Sequence, residues 1–187
     1  MFRATAEAER SSRDVSHPAP VSVAIKAVVV RKYRKHDLEA VVALFGRSVR
    51  QIAGRDYDKQ QIAVWAPEYP DMDAWAARLG SGTVLVAEEG ERMVGFARLD
   101  EEQHIDLLYV DPLSERRGVA KRLVEELTEI VKERGVRKLH ADVSVTARPF
   151  FEAQGFEVME SQLVERRGVV LKNFHMVRTE RDGDLGV

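Results

Sequence analysis

Hydrophobic and polar positions repeat at two different periods along this chain. "AVVVRKY", from Ala27, is a short β-branched run that predicts a strand. In "HDLEAVVALFGRSVRQIA" the apolar positions Leu38, Val41, Val42, Phe45, Val49 and Ile52 fall at helical spacing, with Asp37 as the expected cap. "DYDKQQIAVWA" predicts a second short helix, ended by Pro67. "YPDMDAWAARLG" predicts a third, with Met72, Trp75, Ala76 and Leu79 on one face and Gly80 as its stop. The period then drops to two. "GTVLVAEE", "ERMVGFARLD" and "QHIDLLYVD" read as three strands, the first two joined near Glu89-Gly90. Val119, Leu123, Val124, Leu127, Ile130 and Val131 then mark a long amphipathic helix closed by Gly135. "VRKLHADVSV" alternates, with Leu139, Ala141, Val143 and Val145 on one face. "ARPFFEAQGF" is a short helix, and "EVMESQLVERRGVVLKNFHMVR" a hairpin turning at Arg167-Gly168.

This order of elements is a mixed α+β domain with a helical crossover between two parallel strands. No repeat or linker divides it, so residues 27–180 are expected to form one domain between a polar, flexible leader (1–26) and a short polar tail (181–187). The 187 residues, 44% hydrophobic and 32% charged, suit one ordinary globular core. A net charge of −2 lacks the basic excess of a bulk nucleic-acid binder. The absence of cysteine excludes disulfides, Cys-ligated zinc and a Cys nucleophile, and no metal is expected. No apolar run approaches the ~20 residues of a membrane span, and the N-terminal segment lacks a signal-peptide core. The expectation is a cytoplasmic protein.

Chemistry concentrates in "DPLSERRGVAKRL", residues 111–123. A helix start leaves backbone N–H groups without partners, and with the peptide dipoles these favour an anion. Gly118 and Ala120 keep the backbone approachable, while Arg116, Arg117, Lys121 and Arg122 add positive charge. These ingredients suit a diphosphate. They equally describe a glycine in a strand–helix loop beside a solvated basic face, and no P-loop pattern is present.

The wider segment 104–156 resembles the central motifs of the GNAT superfamily, the Gcn5-related N-acetyltransferases, and the resemblance covers roughly residues 82–178 and, more loosely, the helices before them. That family carries Q/R-x-x-G-x-G/A between a strand and a helix. Here the window is Glu115-Arg116-Arg117-Gly118-Val119-Ala120, which matches at Gly118 and Ala120 and departs at Glu115. The later A-x-x-F-F-E-x-x-G-F (Ala147 to Phe156) is similar to the family's short helix before the sixth strand. "RDYDKQQIAVWAP", "VTARPFFEAQGF" and "ERRGVVLKNFHM" resemble, more narrowly, an uncharacterised YafP-like bacterial branch. The resemblance implies a mostly antiparallel sheet with a parallel strand pair at its centre, flanked by helices. It also implies acetyl-CoA as co-substrate, an amine acceptor, and direct attack in a ternary complex. The backbone of Leu108, Tyr109 and Val110 would hold the pantetheine arm, and the loop through Arg116, Arg117, Gly118, Val119, Ala120 and Lys121 the diphosphate.

Acetyl transfer to an amine needs a base, because an alkylammonium keeps its proton at neutral pH (pKa about 10). In a regular strand His104 and Asp106 share a face with Leu108 and Val110, so either is a candidate. His104 occupies the position from which some family members supply the base. The family's leaving-group acid is commonly a Tyr where this chain has Phe151, and a frequent Asn is here Ser144; the resemblance implies that both positions lie against the cofactor. Phe151 cannot donate a proton, which leaves water or a hydroxyl such as Tyr109, Ser144 or Thr146. It also leaves open a non-catalytic acyl-CoA-binding or regulatory module on the same fold. In the helices expected to wall the acceptor cleft, Tyr57 and Trp65 are candidate substrate contacts or core residues, and Trp75 reads as core. The terminal hairpin offers an edge on which two copies can pair.

Overall fold

The structure, a computed structural model, describes residues 27–180. The expected leader and tail lie outside the described residues. Seven strands form one sheet in the order β1-β2-β3-β4-β5-β7-β6. They are β1 (Val28–Lys32), β2 (Thr83–Glu89), β3 (Arg92–Leu99), β4 (His104–Val110), β5 (Lys138–Ser144), β6 (Glu157–Arg166) and β7 (Val169–Thr179). Every adjacent pair is antiparallel except β4 and β5, which run parallel. The helices are α1 (Leu38–Gln51), α2 (Lys59–Trp65), α3 (Met72–Leu79), α4 (Val119–Glu133) and α5 (Arg148–Ala153). This is the mixed, helix-flanked sheet that the sequence predicted.

Two cores lie on opposite faces. Val119, Leu123, Val124, Leu127 and Val131 of α4 pack with Ile105, Leu139, Ala141 and Phe174 on one. Val41, Leu44, Phe45 and Val49 of α1 pack with Val86, Phe96 and Leu107 on the other. Gly95 lets α4 settle on β3: a Cβ there would lie 2.7 Å from Val119 Cγ1, closer than carbon atoms pack. The β6–β7 hairpin turns where expected, with Arg167 at φ 51 and Gly168 at φ 77, as a type I′ turn requires.

Two local expectations are corrected. Asp37 places no side-chain bond on the start of α1. Its buried carboxylate turns back to accept from Arg31 Nη1 (2.7 Å), Arg31 Nη2 (2.9 Å) and the Arg34 N–H (2.7 Å), so it ties β1 to the following turn. The second correction is in β4. Arg98 pairs with Leu107 while Leu99 pairs with Ile105, leaving Asp106 as an extra, bulged residue. Alternation therefore breaks: Ile105, Leu108 and Val110 join the α4-side core, whereas Leu107 and Tyr109 join the α1-side core.

Candidate active site

β4 and β5 pair only at His104–His140 and Ile105–Ala141. Beyond these rows the strands continue to Val110 and Ser144 without pairing, so they part. On its other side β4 stays bonded to β3 through Leu108, Tyr109 and Val110. The backbone groups of these residues that face β5 thus lack a ladder partner, which costs free energy unless water or a ligand satisfies them. A cleft opens between two parallel strands, lined by polar main chain.

The corner before α4 lies beyond the end of β4. Asp111, buried, accepts from the Leu113 N–H (3.0 Å) and from Arg47 Nη2 of α1 (2.8 Å), which fixes the turn. The chain then visits positive φ at Arg116 (60°) and again at Gly118 (81°), with Arg117 between them at negative φ. Such alternation gathers successive N–H groups into an anion-binding concavity. Gly118 is the N-cap of α4 and supplies no side-chain bond to its first turn. A Cβ on Gly118 would meet nothing within 4 Å. Glycine here serves the backbone conformation and leaves the space in front of it open.

The charges around this corner are paired. Glu115 receives two bonds from Arg55, Nη1 to Oε1 at 2.8 Å and Nη2 to Oε2 at 2.6 Å. The carboxylate that departs from the family pattern therefore faces a guanidinium, which offsets its repulsion of a phosphate. Arg117 forks onto Glu89 at the end of β2. Lys121 and Arg122 sit 3.7 and 3.0 Å from Glu125 and Glu126 on α4. Among the described residues, the Arg116 side chain has no ion-pair partner.

The bulge separates the two candidate bases. Asp106 Oδ2 accepts from Arg98 Nη1 (2.6 Å) and Arg78 Nε (2.9 Å). Its Oδ1 is buried without a hydrogen-bond partner, as are Asn173 Oδ1, Thr146 Oγ1 and His104 Nε2. His104 stands at the start of β4, its Nδ1 3.7 Å from Asp100 Oδ2 and its Nε2 3.5 Å from Asp142 Oδ2. The sequence reading missed two neighbours on the same sheet face, His140 of β5 and His175 of β7. Their rings stack 5.5 Å apart. Burial, then the charges of His175, His104 and Lys138, hold the His140 imidazole below its ordinary range.

On the helix side, Tyr57 is engaged with the main chain. Its hydroxyl donates to the Lys172 carbonyl (2.5 Å) and accepts from the Val145 N–H (3.0 Å). It clamps the segment before α2 to β5 and β7, and its hydroxyl is not left for a ligand. Trp65 packs edge-on to Tyr57 at 5.2 Å and donates its indole N–H to the Tyr109 hydroxyl at 3.3 Å. Tyr109 also packs against Phe45 and Phe96. Burial pushes its phenol pKa up, against the opposing pull of the Trp65 bond, so it stays protonated at neutral pH. Trp75 meets Phe45 at 4.8 Å, as a core residue. Ser144 Oγ accepts from the Ala147 N–H (3.1 Å) at the start of α5. Phe151 is buried, edge-on to Phe156 at 5.0 Å. No group of three or more metal-ligating side chains with metal-binding geometry occurs among the described residues, and no helix among them is long and apolar enough to cross a membrane.

A parting parallel strand pair with an uncapped helix start at its mouth is the arrangement that the sequence resemblance implied, and the family comparison agrees. Residues 53–178 match the acetyltransferase (GNAT) domain family. The chain belongs to that family and is an acetyltransferase. It is similar to the uncharacterized N-acetyltransferase YafP of Escherichia coli (strain K12), with 39% identity over 80% of this chain and 94% of that protein. Among solved structures, it is similar to a GCN5-related N-acetyltransferase from Rhodopseudomonas palustris, with 31% identity, a TM-score of 0.79, and coverage of 84% and 98% of the two chains. The PaiA N-acetyltransferase of Thermoplasma acidophilum, solved in complex with coenzyme A, shares the fold at 18% identity, with a TM-score of 0.67 and coverage of 82% and 99%.

Proposed function

We propose that this protein transfers the acetyl group of acetyl-CoA to a primary amine by direct attack in a ternary complex. The observation that carries this reading is the cleft between β4 and β5, which runs from unpaired main chain at Leu108–Val110 toward the uncapped N–H groups at Gly118. The diphosphate sits on those N–H groups, with Arg116 and the Glu115-held Arg55 beside it. The thioester lies against β4, where a backbone N–H stabilises the oxyanion that develops on its carbonyl.

The acceptor enters from the side of α2 and α3. His104 takes a proton from its ammonium, breaking an N–H bond and freeing the lone pair that attacks the carbonyl carbon. At about 3.3 Å per residue, His104 lies roughly 13 Å along β4 from Leu108, so the proton travels through water. Asp106 serves as a fixed anion between Arg78 and Arg98 rather than as the base. Collapse of the tetrahedral intermediate breaks the C–S bond, and the thiolate takes a proton. Tyr109 supplies it: Trp65 already donates to the phenol oxygen, so the phenol's own proton is free to point into the cleft, and the phenolate takes back the second proton that the attacking nitrogen sheds as the amide forms. This hydroxyl stands in for the one Phe151 lacks.

Calorimetric titration with acetyl-CoA and with CoA, followed by thiol release against an amine panel, tests this reading. Binding followed by amine-dependent thiol release supports it. Binding without release from any amine would make the protein an acyl-CoA-binding module.

A further inference from the structure

Three imidazoles and two carboxylates share one polar patch beside the cleft, and one carboxylate faces two of the rings at once. Asp142 Oδ2 lies 3.5 Å from His104 Nε2, and Asp142 Oδ1 lies 3.1 Å from His175 Nδ1. The far nitrogen of His175 is 3.4 Å from His140 Nδ1. The surrounding charges come from every packed element. Asp100 faces His104 from the turn before β4. Lys138 and His140 stand on the same face of β5. Glu160 and Glu157 of β6 lie in register beside His175 and Val177. Asp106, two residues along, is occupied by Arg78 and Arg98. Asp142 is therefore the one carboxylate of the patch within reach of both His104 and His175, whereas Asp100 reaches His104 alone.

We propose that His175 is a positioning residue that tunes the basicity of His104 through their shared carboxylate, Asp142, because the two rings compete for it. This rests on the reading of His104 as the base. With the proton on His175, Asp142 is neutralised and His104 keeps a free lone pair. When His104 takes a proton from the acceptor ammonium, Asp142 balances the new imidazolium and His175 releases its own proton to solvent at its part-exposed edge. One proton enters and one leaves, so the net charge of the patch is unchanged. The basicity of His140 is depressed first by its burial and then by the charges of His175, His104 and Lys138.

The test is NMR titration of the imidazole C–H signals in the full chain, in wild type, His175→Gln and Asp142→Asn. Removing His175 leaves Asp142 wholly to His104, so the His104 midpoint should rise by about one pH unit; removing the carboxylate should lower it by a similar amount. The acid limb of kcat/KM should move with the midpoint, whereas a merely structural loss scales the rate at all pH values. A His104 midpoint unchanged in both folded variants, or lowered in His175→Gln, overturns the proposal. The titration needs no acceptor. Shifts of the expected sign without acetyl transfer to any amine would uphold the charge sharing and overturn the proposed function instead.

Discussion

Gly118 allows backbone conformation and ligand contact to be separated experimentally. Its φ of 81° lies where L side chains are strained, yet a Cβ there meets nothing within 4 Å. Gly118→Ala therefore creates no clash and costs only the left-handed strain, about 1 kcal/mol. In a domain of this size that lowers Tm by roughly 2–4 °C. Gly118→Asn tolerates the same conformation better, so its unliganded Tm should stay near wild type. In the proposed reading the diphosphate sits on the N–H groups at this corner, so either side chain would crowd it. With acetyl-CoA at a hundred times its Kd, wild type gains about 2.7 kcal/mol, a Tm rise of roughly 5–10 °C. A tenfold loss of affinity removes about 1.4 kcal/mol of that. The assay is a melting curve with and without acetyl-CoA for all three proteins. The expected result is a reduced ligand-induced shift in both variants, including the Asn variant whose fold is undisturbed. If both keep the full shift, the anion is held elsewhere and the corner is only a turn.

Tyr109→Phe should lower kcat about 100-fold while leaving acetyl-CoA affinity unchanged, measured by steady-state thiol release; an unchanged kcat removes Tyr109 as the acid. Asp37→Ala leaves Arg31 with Glu88 alone and the Arg34 N–H without its acceptor and should cost about 1–3 kcal/mol, read from denaturant midpoints. The Arg31 bonds hold the Asp37 carboxyl below its ordinary range. Its stabilisation is thus complete above about pH 4 and lost as acid titrates the folded-state group, and the variant should lack this acid-dependent component. His140 carries the depressed case of a base. Its contribution is present above about pH 6.5 and lost as pH falls through the lower folded-state value. His140→Gln should flatten the loss of stability over that window, and an unaltered pH profile would count against the buried-imidazole account.

The helices and strands were legible because burial imposes a period on the sequence, and α4 shows this most clearly. Gly118 was legible for a related reason: a left-handed N-cap leaves a mark at one position. The bulge was not, because no residue type is required at an inserted position, and Asp106 reads like any polar member of an alternating strand. Arg55 lies 60 residues from Glu115. The only trace of their pairing was the unexpected carboxylate in the loop. His140 and His175 carried no motif, and they meet only because β5 and β7 are neighbours in the sheet. Tyr57 was read as a candidate ligand contact or core residue. Its bonds to Val145 and Lys172 connect segments whose proximity only the topology reveals.

The inserted residue in β4 has a consequence beyond its own position. A strand is a two-stroke pattern, and one extra beat exchanges its halves. Upstream of Asp106 the odd-numbered Ile105 turns toward α4; downstream the odd-numbered Leu107 and Tyr109 turn toward α1. In an uninterrupted strand the phenol of Tyr109 would be driven into the layer beneath α4, away from Trp65 and the acceptor side. The aspartate thus sets the phase of the strand. Its two guanidinium partners, one from β3 and one from α3, anchor that phase to the sheet on one side and to the helical wall on the other.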